Sequence, residues 1–365
     1  MSNRRFGRGL RRSQTKVALA GAGYVAVVHS LAAQSAGMKV TAVASKGGTS
    51  ARHLAGQLDA RKVAVDALPA GADVLIVATP PDGHLALALA GLEAGATVLV
   101  EKPFTSTLAE ADTLIAALDN IPGPRQGENR AERATPADSG RRLMCAENLL
   151  HSPLWVKAME LLPSLGPLGH LSLQTVQPPP DWGHFTEPLK NGGVLFDLGP
   201  HPIAMALGLA GANPIGVSAE LSSGRPDGAD DRAELKLRFA SGLVAELAVS
   251  WTAQDPYWGV QAASDSGVLR IELVPELSLE FNGDAVAIPH RHQPPDPRIE
   301  SMGYVDQLLD LVSDEDHGRG QSAGAARDVL EVIYAGYASA GAAGTEVSLP
   351  FTGDRTALPI SHWRS

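Results

Sequence analysis

The sequence predicts two domains: an α/β domain with a doubly wound parallel sheet, and an α+β domain with a large, mostly antiparallel sheet. Three observations support this prediction. At 365 residues the chain exceeds the size of one ordinary core. Residues 15–148 alternate short apolar segments with longer helical ones. Residues 149–350 instead hold consecutive short strands separated by turns.

In the first domain, nearly all-apolar strands alternate with helices, which is typical of a parallel sheet covered on both faces. The predicted strands are 16–20, 39–44, 74–78, 97–100 and 143–146. The predicted helices are 24–35, 49–58, 84–93 and 108–118. Strand–helix–strand units of this kind are right-handed and build a doubly wound sheet.

In the second domain, turn signals such as those at 240–242 and 282–284 separate short strands and favour antiparallel pairing. The predicted strands are 170–176, 215–221, 234–239, 243–251, 259–263, 268–273 and 278–281. The predicted helices, 155–162, 194–209, 304–312 and 323–340, would cover one face and leave the other open. If that open face is apolar it must be covered, so we expect a homodimer or homotetramer through it.

Three segments fall outside these units. Residues 1–14 carry two arginine pairs with no apolar segment behind them, so we expect a disordered basic tail rather than a secretory signal. Residues 121–142 are rich in Pro, Gly, Glu and Arg and predict a mobile insertion. Residues 351–365 are predicted to form a C-terminal tail.

Charge and cysteine content narrow the function classes. The formal net charge of −10 argues against partners that are nucleic acids or anionic membrane surfaces. No apolar segment reaches the roughly 18–20 residues of a membrane span. Cys145 is the only cysteine, which excludes a disulfide within the chain and fits a cytoplasmic location. No spacing of His, Cys, Asp and Glu predicts a metal site.

A glycine-rich turn after the first predicted strand indicates a dinucleotide site. The segment GAGYVA fits the Rossmann pattern G-x-G-x-x-G/A between a strand and a helix. Gly21 permits the tight turn, Gly23 lets the backbone approach a diphosphate, and Ala26 keeps helix and strand close. The diphosphate would lie at the helix N-terminus near Tyr24 and Val25, where unpaired N–H groups favour an anion.

The end of the second predicted strand favours NADP(H) over NAD(H). A carboxylate commonly follows this strand and holds the ribose 2′-hydroxyl of NAD. Here Ser45, Lys46 and Thr49 follow, and no Asp or Glu lies between residues 45 and 49. The ammonium and the hydroxyls would bind a 2′-phosphate, so NADP(H) is favoured and NAD(H) stays open.

Further motifs in the chain resemble the Gfo/Idh/MocA family, named after glucose-fructose oxidoreductase, inositol dehydrogenase and rhizopine catabolism. The segment ATPPDGH, residues 78–84, is similar to the family's Thr-Pro-x-x-x-His stretch. The triplet EKP, residues 101–103, matches a family signature, and GGVLFDLGPH, residues 192–201, matches Gly-Gly-x-x-x-Asp-x-Gly-x-His. The resemblance spans residue 16 to about residue 350.

The resemblance implies a Rossmann domain and an open-faced second domain with the substrate in the cleft between them. It implies hydride transfer between a nicotinamide and a carbon that bears a secondary hydroxyl. It places Thr79, Pro80, His84, Glu101 and Lys102 at the cofactor. It also implies that Lys102, Asp197 and His201 form the catalytic set, and that a cis peptide bond precedes Pro103.

The chemistry of these three side chains suits that reaction. The substrate hydroxyl must lose its proton, and an imidazole such as His201 can accept it. Asp197 lies four residues earlier and shares the face of His201 on a continuous helix, where it could orient the ring or bind a substrate hydroxyl. Pro200 could instead begin a new helix and separate the two. Lys102 can stabilise negative charge on the substrate oxygen, and either Lys102 or His201 could be the proximal proton acceptor.

Other polar residues are candidates for substrate contact. Glu147 and Asn148 follow the last strand of the first domain, and Trp182 and Lys190 precede the double glycine. The sequence therefore predicts an oxidoreductase acting on a sugar, a cyclitol or a similar small polyol or keto compound. The alternative is a non-catalytic regulatory or scaffold protein of the same fold that binds a nicotinamide.

Overall fold

The computed structural model describes residues 14–120, 143–181, 185–190, 192–224, 228–288, 291–313 and 320–364. Three of the predictions fall largely or wholly outside these ranges: the basic tail, the 121–142 insertion and Trp182. Within the described ranges, no helix has both the length and the apolar character needed to cross a bilayer.

The first sheet has the predicted doubly wound architecture. Its strands are β1 (Lys16–Ala20), β2 (Lys39–Ala44), β3 (Arg61–Lys62), β4 (Val74–Val77), β5 (Thr97–Val100), β6 (Leu143–Cys145) and the later β15 (Gln321–Ser322). The order across the sheet is β15-β6-β5-β4-β1-β2-β3. β1 to β6 run parallel, and β15 is antiparallel to β6.

The helices that alternate with its strands are α1 (Tyr24–Ser35), α2 (Thr49–Gln57), α3 (His84–Glu93) and α4 (Leu108–Asn120). The order of the strands reverses between β1 and β4. In sheets of this kind the carboxyl ends at such a switch form a crevice for ligands. The loops after β1, β2, β4 and β5 therefore meet at one edge.

The second sheet is mostly antiparallel, as predicted. Its strands are β7 (His170–Val176), β8 (Gly216–Ser222), β9 (Arg232–Arg238), β10 (Val244–Ser250), β11 (Tyr257–Ser264), β12 (Gly267–Val274), β13 (Ser278–Phe281), β14 (Asp284–Ala285) and β16 (Val347–Ser348). The order is β14-β13-β12-β11-β7-β10-β9-β8-β16. β7 and β10 run parallel, and the other described neighbours are antiparallel.

The helices of the C-terminal part are α5 (Pro153–Leu161), α6 (Val194–Asp197), α7 (Pro200–Ala210), α8 (Pro297–Ser301), α9 (Tyr304–Leu311) and α10 (Ala323–Gly341). The prediction of a single helix over 194–209 is wrong. The segment is divided into α6 and α7 because Pro200 lacks an N–H and its ring crowds the preceding turn. Asp197 and His201 therefore lie on two different helices.

The helix predicted over 304–312 was expected to cover the second sheet, and this is wrong. Val305, Leu308 and Leu311 of α9 are buried in the core that contains β1 and α1. Their spacing makes one apolar stripe, which packs against the first domain. β15 also joins the first sheet, and the boundary at residues 148/149 stays a prediction.

The C-terminal segment is not a loose tail over residues 351–364. Phe351 and Ile360 are buried in the main core. The backbone oxygen of Arg355 accepts from Ala109 of α4 at 2.9 Å. The composition after residue 350 gave no helix or strand pattern, so this docking could not be predicted from periodicity.

The open face of the second sheet is polar, so the premise of the oligomer prediction does not hold. Its strands alternate buried and exposed residues. Cross-strand ion pairs run over it, including Lys236–Glu246 at 3.0 Å and Arg270–Glu280 at 3.9 Å. A face of this kind is compatible with water and does not require a partner.

Candidate active site

The turn between β1 and α1 has the backbone of a diphosphate cradle. Gly21 has a φ of +127°, and a Cβ there would collide with the backbone oxygen of Ala78. A Cβ on Gly23 would instead meet no atom within 4 Å. No side chain caps the N-terminus of α1, and Ala26 is fully buried against the sheet. The N-terminal end of α1 and the open space at Gly23 fit the diphosphate of a dinucleotide.

The loop after β2 carries Ser45, Lys46 and Thr49, and it is exposed or half-buried. The Lys46 ammonium lies 3.8 Å from the carboxylate of Asp82 in the loop after β4. β1 lies between β4 and β2, so this contact crosses the edge that carries the glycine turn. Asp82 was not identified by the sequence analysis, because it is distant in sequence from the second strand.

His84 links the loop after β4 to the loop after β5 by hydrogen bonds. His84 is fully buried, with Nε2 2.8 Å from the Thr79 oxygen and Nδ1 3.0 Å from the Pro103 oxygen. His84 therefore holds two loops together, and its contact with the cofactor stays a prediction. The Thr79 hydroxyl is buried and has no hydrogen-bond partner among the described residues. Pro80, the next residue, is exposed.

Glu101 forms a buried pair with His29 of α1. The His29 Nε2 lies 2.7 Å from Glu101 Oε1, and the Lys102 amide donates to Oε2 at 3.1 Å. Burial alone would raise the pKa of Glu101, but the His29 hydrogen bond and nearby charges outweigh it and lower the pKa. The pair fixes the end of β5 and so positions Lys102, whose peptide bond to Pro103 is cis.

Lys102 and Asp197 form an ion pair between the two domains. The Lys102 ammonium donates to Oδ1 and to the backbone oxygen of Asp197, both at 2.9 Å. Burial alone would lower the pKa of Lys102, but Asp197, then Glu101 and Glu147, raise it above the usual value. Lys102 is therefore a cation at neutral pH.

His201 pairs with Glu147 and not with Asp197. Its Nδ1 lies 2.6 Å from Glu147 Oε1, and both residues are buried. The Trp258 ring lies 5.4 Å from the imidazole, centroid to centroid. The sequence analysis identified Glu147 as a candidate for substrate contact and gave orientation of the ring as one possible role of Asp197. The position of Glu147 at the carboxyl end of β6 was the available signal.

Asp230 anchors α6 and was missed. The residue is fully buried, and its carboxylate accepts from the Leu195 amide at 2.8 Å and from the Tyr337 hydroxyl at 2.7 Å. Burial raises the pKa of Asp230 to about 6. A Cβ on Gly193 would collide with both the Asp230 carboxylate and the Tyr337 hydroxyl, which explains the second glycine of the pair.

The candidate substrate residues lie in different settings. Asn148 is buried and donates to the Met302 oxygen at 2.7 Å, so its amide nitrogen holds the loop. Lys190 forms an ion pair with Glu187 at 2.8 Å near the surface. Contact of Asn148 and Lys190 with substrate stays a prediction. In the described part of the chain, no three His, Cys, Asp or Glu side chains form a group that could hold a metal ion.

Comparison with known proteins identifies the family. Residues 15–121 match a family described as "Oxidoreductase family, NAD-binding Rossmann fold", and residues 163–284 match the "GFO/IDH/MocA C-terminal domain". The chain belongs to the Gfo/Idh/MocA oxidoreductase family. The resemblance inferred from the motifs is thus confirmed, and so are the fold class and the oxidoreductase class of enzyme.

Individual relatives of this family member span most of its length. It is 30% identical to a protein of Amycolatopsis mediterranei provisionally named UDP-kanosamine synthase oxidoreductase subunit, over 79% of this chain and 84% of that one. It is 25% identical to inositol 2-dehydrogenase of Rhizobium meliloti, over 75% and 81%. The structure of GenD2 from gentamicin A biosynthesis, in complex with NAD, is 25% identical, with a TM-score of 0.75 over 94% and 99% of the two chains.

Proposed function

We propose that this protein transfers hydride between NADP(H), or NAD(H), and a secondary alcohol or ketone of a sugar, cyclitol or similar small polyol. The observation that supports this most strongly is the pairing of Lys102 with Asp197 and of His201 with Glu147 at the cleft beside the glycine turn. Relatives named for an inositol and for a nucleotide sugar support a polyhydroxylated substrate.

Each of these residues has a distinct role in the proposed reaction. When bound, the nicotinamide supplies the acceptor or donor of hydride. Lys102 donates a hydrogen bond to the substrate oxygen and stabilises negative charge that develops there. Because the raised pKa of Lys102 keeps it protonated, the hydroxyl proton goes to His201 in the oxidative direction. Asp197 holds Lys102 in place.

We propose further that Lys46 and Asp82 together set the choice between the cofactors. Lys46, with the Ser45 and Thr49 hydroxyls, would bind the 2′-phosphate of NADP(H). The Asp82 carboxylate would repel that phosphate and can accept a hydrogen bond from the 2′-hydroxyl of NAD(H). We favour NADP(H) because Ser45, Lys46 and Thr49 all follow β2, whereas Asp82 lies in a neighbouring loop.

Location and assembly complete the proposal. A cytoplasmic location fits the single buried cysteine. A homodimer or homotetramer through the open sheet face stays a prediction, and the charges on that face do not by themselves require one. Light scattering across a range of protein concentrations would measure the mass, and a monomer at all of them would contradict the assembly.

Cofactor binding followed by turnover tests the function. Fluorescence titration with NADPH and NADH measures affinity, and a panel of inositols, sugars and nucleotide sugars then measures turnover. We expect binding of at least one cofactor, turnover of at least one polyol, and a higher kcat/KM with NADP(H). Binding without turnover of any compound would favour a regulatory or scaffold protein, and no binding would exclude both functions.

Two substitutions test the cofactor proposal in opposite directions. Lys46→Gln should lower the ratio of kcat/KM for NADP(H) to that for NAD(H) by about tenfold, the value of one charged hydrogen bond. Asp82→Asn should raise the same ratio. Equal ratios in wild type and both variants would contradict a role for this pair.

A further inference from the structure

We propose that Glu147 is the positioning residue that fixes the orientation and tautomer of His201. The proposal rests on the proposed function, because it assigns His201 its state in that reaction. The Glu147 side chain has no exposed surface, and its Oε1 lies 2.6 Å from His201 Nδ1. The other oxygen, Oε2, has no hydrogen-bond partner among the described residues. His201 is thus the principal partner of this carboxylate.

The backbone around Glu147 is itself held in place. With the Gln307 amide oriented so that its oxygen faces the loop, that oxygen accepts from the amides of Glu147 and Asn148 at 3.2 Å each. The Asn148 side chain donates to the Met302 oxygen from the same loop. Gln307 is fully buried on α9. The carboxylate is therefore presented from a fixed segment that α9 supports.

This arrangement determines which nitrogen of His201 carries the proton. An ionised carboxylate only accepts hydrogen bonds, so Nδ1 must be the donor. The neutral ring then keeps its lone pair on Nε2, which makes no hydrogen bond within the described ranges. The Trp258 ring packs against the imidazole. His201 is thus held ready to accept a proton at Nε2, and Glu147 stabilises the imidazolium that forms.

Asp197 does not share this role. Its carboxylate oxygen and its backbone oxygen both receive the Lys102 ammonium. The site thus contains two separate pairs, one that stabilises charge on the substrate oxygen and one that accepts the proton. In the oxidative direction the O–H bond breaks, the proton passes to Nε2, and the imidazolium later releases it to water.

Kinetics of Glu147→Gln and Glu147→Asp test the proposal. The amide introduced by Glu147→Gln can donate to Nδ1, which would place the proton on Nε2 and block acceptance there. We expect kcat to fall by about 10²- to 10⁴-fold in Glu147→Gln, with KM and cofactor Kd nearly unchanged. Glu147→Asp, which keeps the carboxylate, should recover part of the loss. Glu160→Gln, an exposed carboxylate paired with Lys157, is the matched control and should behave as wild type.

A spectroscopic measurement does not depend on turnover. In protein labelled with ¹⁵N-histidine, the His201 signals, assigned by their absence in His201→Gln, should show the Nδ1–H tautomer in wild type and its loss in Glu147→Gln. Failure of wild type to turn over any compound would remove the proposed function, yet leave this measurement decisive. Wild-type kcat in Glu147→Gln, or an unchanged tautomer, would overturn the role of Glu147.

Discussion

At the scale of single residues, Lys102 carries a positive charge that several nearby carboxylates stabilise. It is largely buried just after β5, and carboxylates from three parts of the chain, Asp197, Glu101 and Glu147, raise its pKa despite burial. A buried ammonium is costly unless it is paired, so this arrangement requires its partners to stay ionised. Lys102 is thus held as a cation, which is the state that its proposed catalytic role requires.

Replacing Lys102 with methionine removes this cation while keeping a side chain of similar length. We expect Lys102→Met to lower kcat by about 10²- to 10³-fold, the cost of losing one donor to a developing oxyanion. The cofactor Kd should stay within a few-fold of wild type, because the glycine turn is unchanged. Lys157→Met, on the surface of α5, is the control. Turnover at the wild-type rate in Lys102→Met would end its catalytic assignment.

The identity of the proposed catalytic residues was predictable, but their pairing was not. The motifs identified Lys102, Asp197 and His201, and the structure brings all three close together through Glu147. Which carboxylate meets which base depends on how the ends of β5 and β6 face α6 and α7, which local sequence does not determine. A new helix begins at Pro200, and Asp197, on the preceding helix, pairs with Lys102. Glu147, more than fifty residues before His201, pairs with the imidazole instead.

At the scale of elements, the turn between β1 and α1 assigns different tasks to its two glycines. Gly21 is needed by the protein itself, since its φ of +127° and the nearby Ala78 backbone exclude a side chain. Gly23 has an ordinary φ of −84° and open space around it. Its lack of a side chain is therefore explained by a ligand and not by the fold.

Alanine substitutions should separate these two tasks. Gly21→Ala should lower the free energy of unfolding by about 1–3 kcal/mol or more, because it combines backbone strain with a collision. Gly23→Ala should keep wild-type stability but weaken cofactor binding at least tenfold, since its methyl group would occupy the diphosphate cradle. Chemical denaturation and fluorescence titration measure the two effects. Wild-type affinity in Gly23→Ala would place the cofactor elsewhere.

The short helix α6 depends on Asp230, whose buried carboxylate gives a defined pH dependence. Its pKa is about 6 in the folded protein, against 3.8 for a fully solvated aspartate, so the folded state binds more protons between these values. Folding stability from this group therefore falls as pH rises from about 4 to 6. The full difference is on the order of 3 kcal/mol.

Asp230→Asn should remove this pH dependence. The free energy of unfolding of wild type minus that of the variant should decrease as pH rises from about 4 to 6 and then level off. Denaturation at a series of pH values measures it, and Asp284→Asn, at an exposed position on β14, controls for the loss of a carboxylate. A constant difference across this range would show that Asp230 has an ordinary pKa.

Longer helices and strands were predicted more accurately than two-residue strands. Long periodic segments such as β1, α1, β7 and α10 were identified with bounds close to those observed. The two-residue strands β3 and β15 were not, because two residues carry no periodicity. β15 pairs with β6, which is distant in sequence, and no local pattern indicates such a long-range pairing.

At the scale of the whole molecule, the C-terminal segment joins the two domains through a network of charges. The Arg355 guanidinium contacts both oxygens of Asp112 on α4, at 2.5 and 2.6 Å, and lies 3.3 Å from Glu331 on α10. Arg327 of α10 also reaches Asp112 and Glu331. α4 belongs to the first domain and α10 packs on the second sheet, so this network ties the two domains together.

Arg355→Met should therefore weaken the whole molecule and not one domain alone. Because Glu331 is nearly buried and would lose one of its two arginines, we expect the free energy of unfolding to fall by about 1–3 kcal/mol. Arg238→Met removes a similar two-point pair with Glu346 that is exposed and lies within the second domain, so its effect should be smaller.

Urea denaturation, followed separately by signals from each domain, measures both variants. Equal effects of the two substitutions would show that the C-terminal segment does not couple the domains.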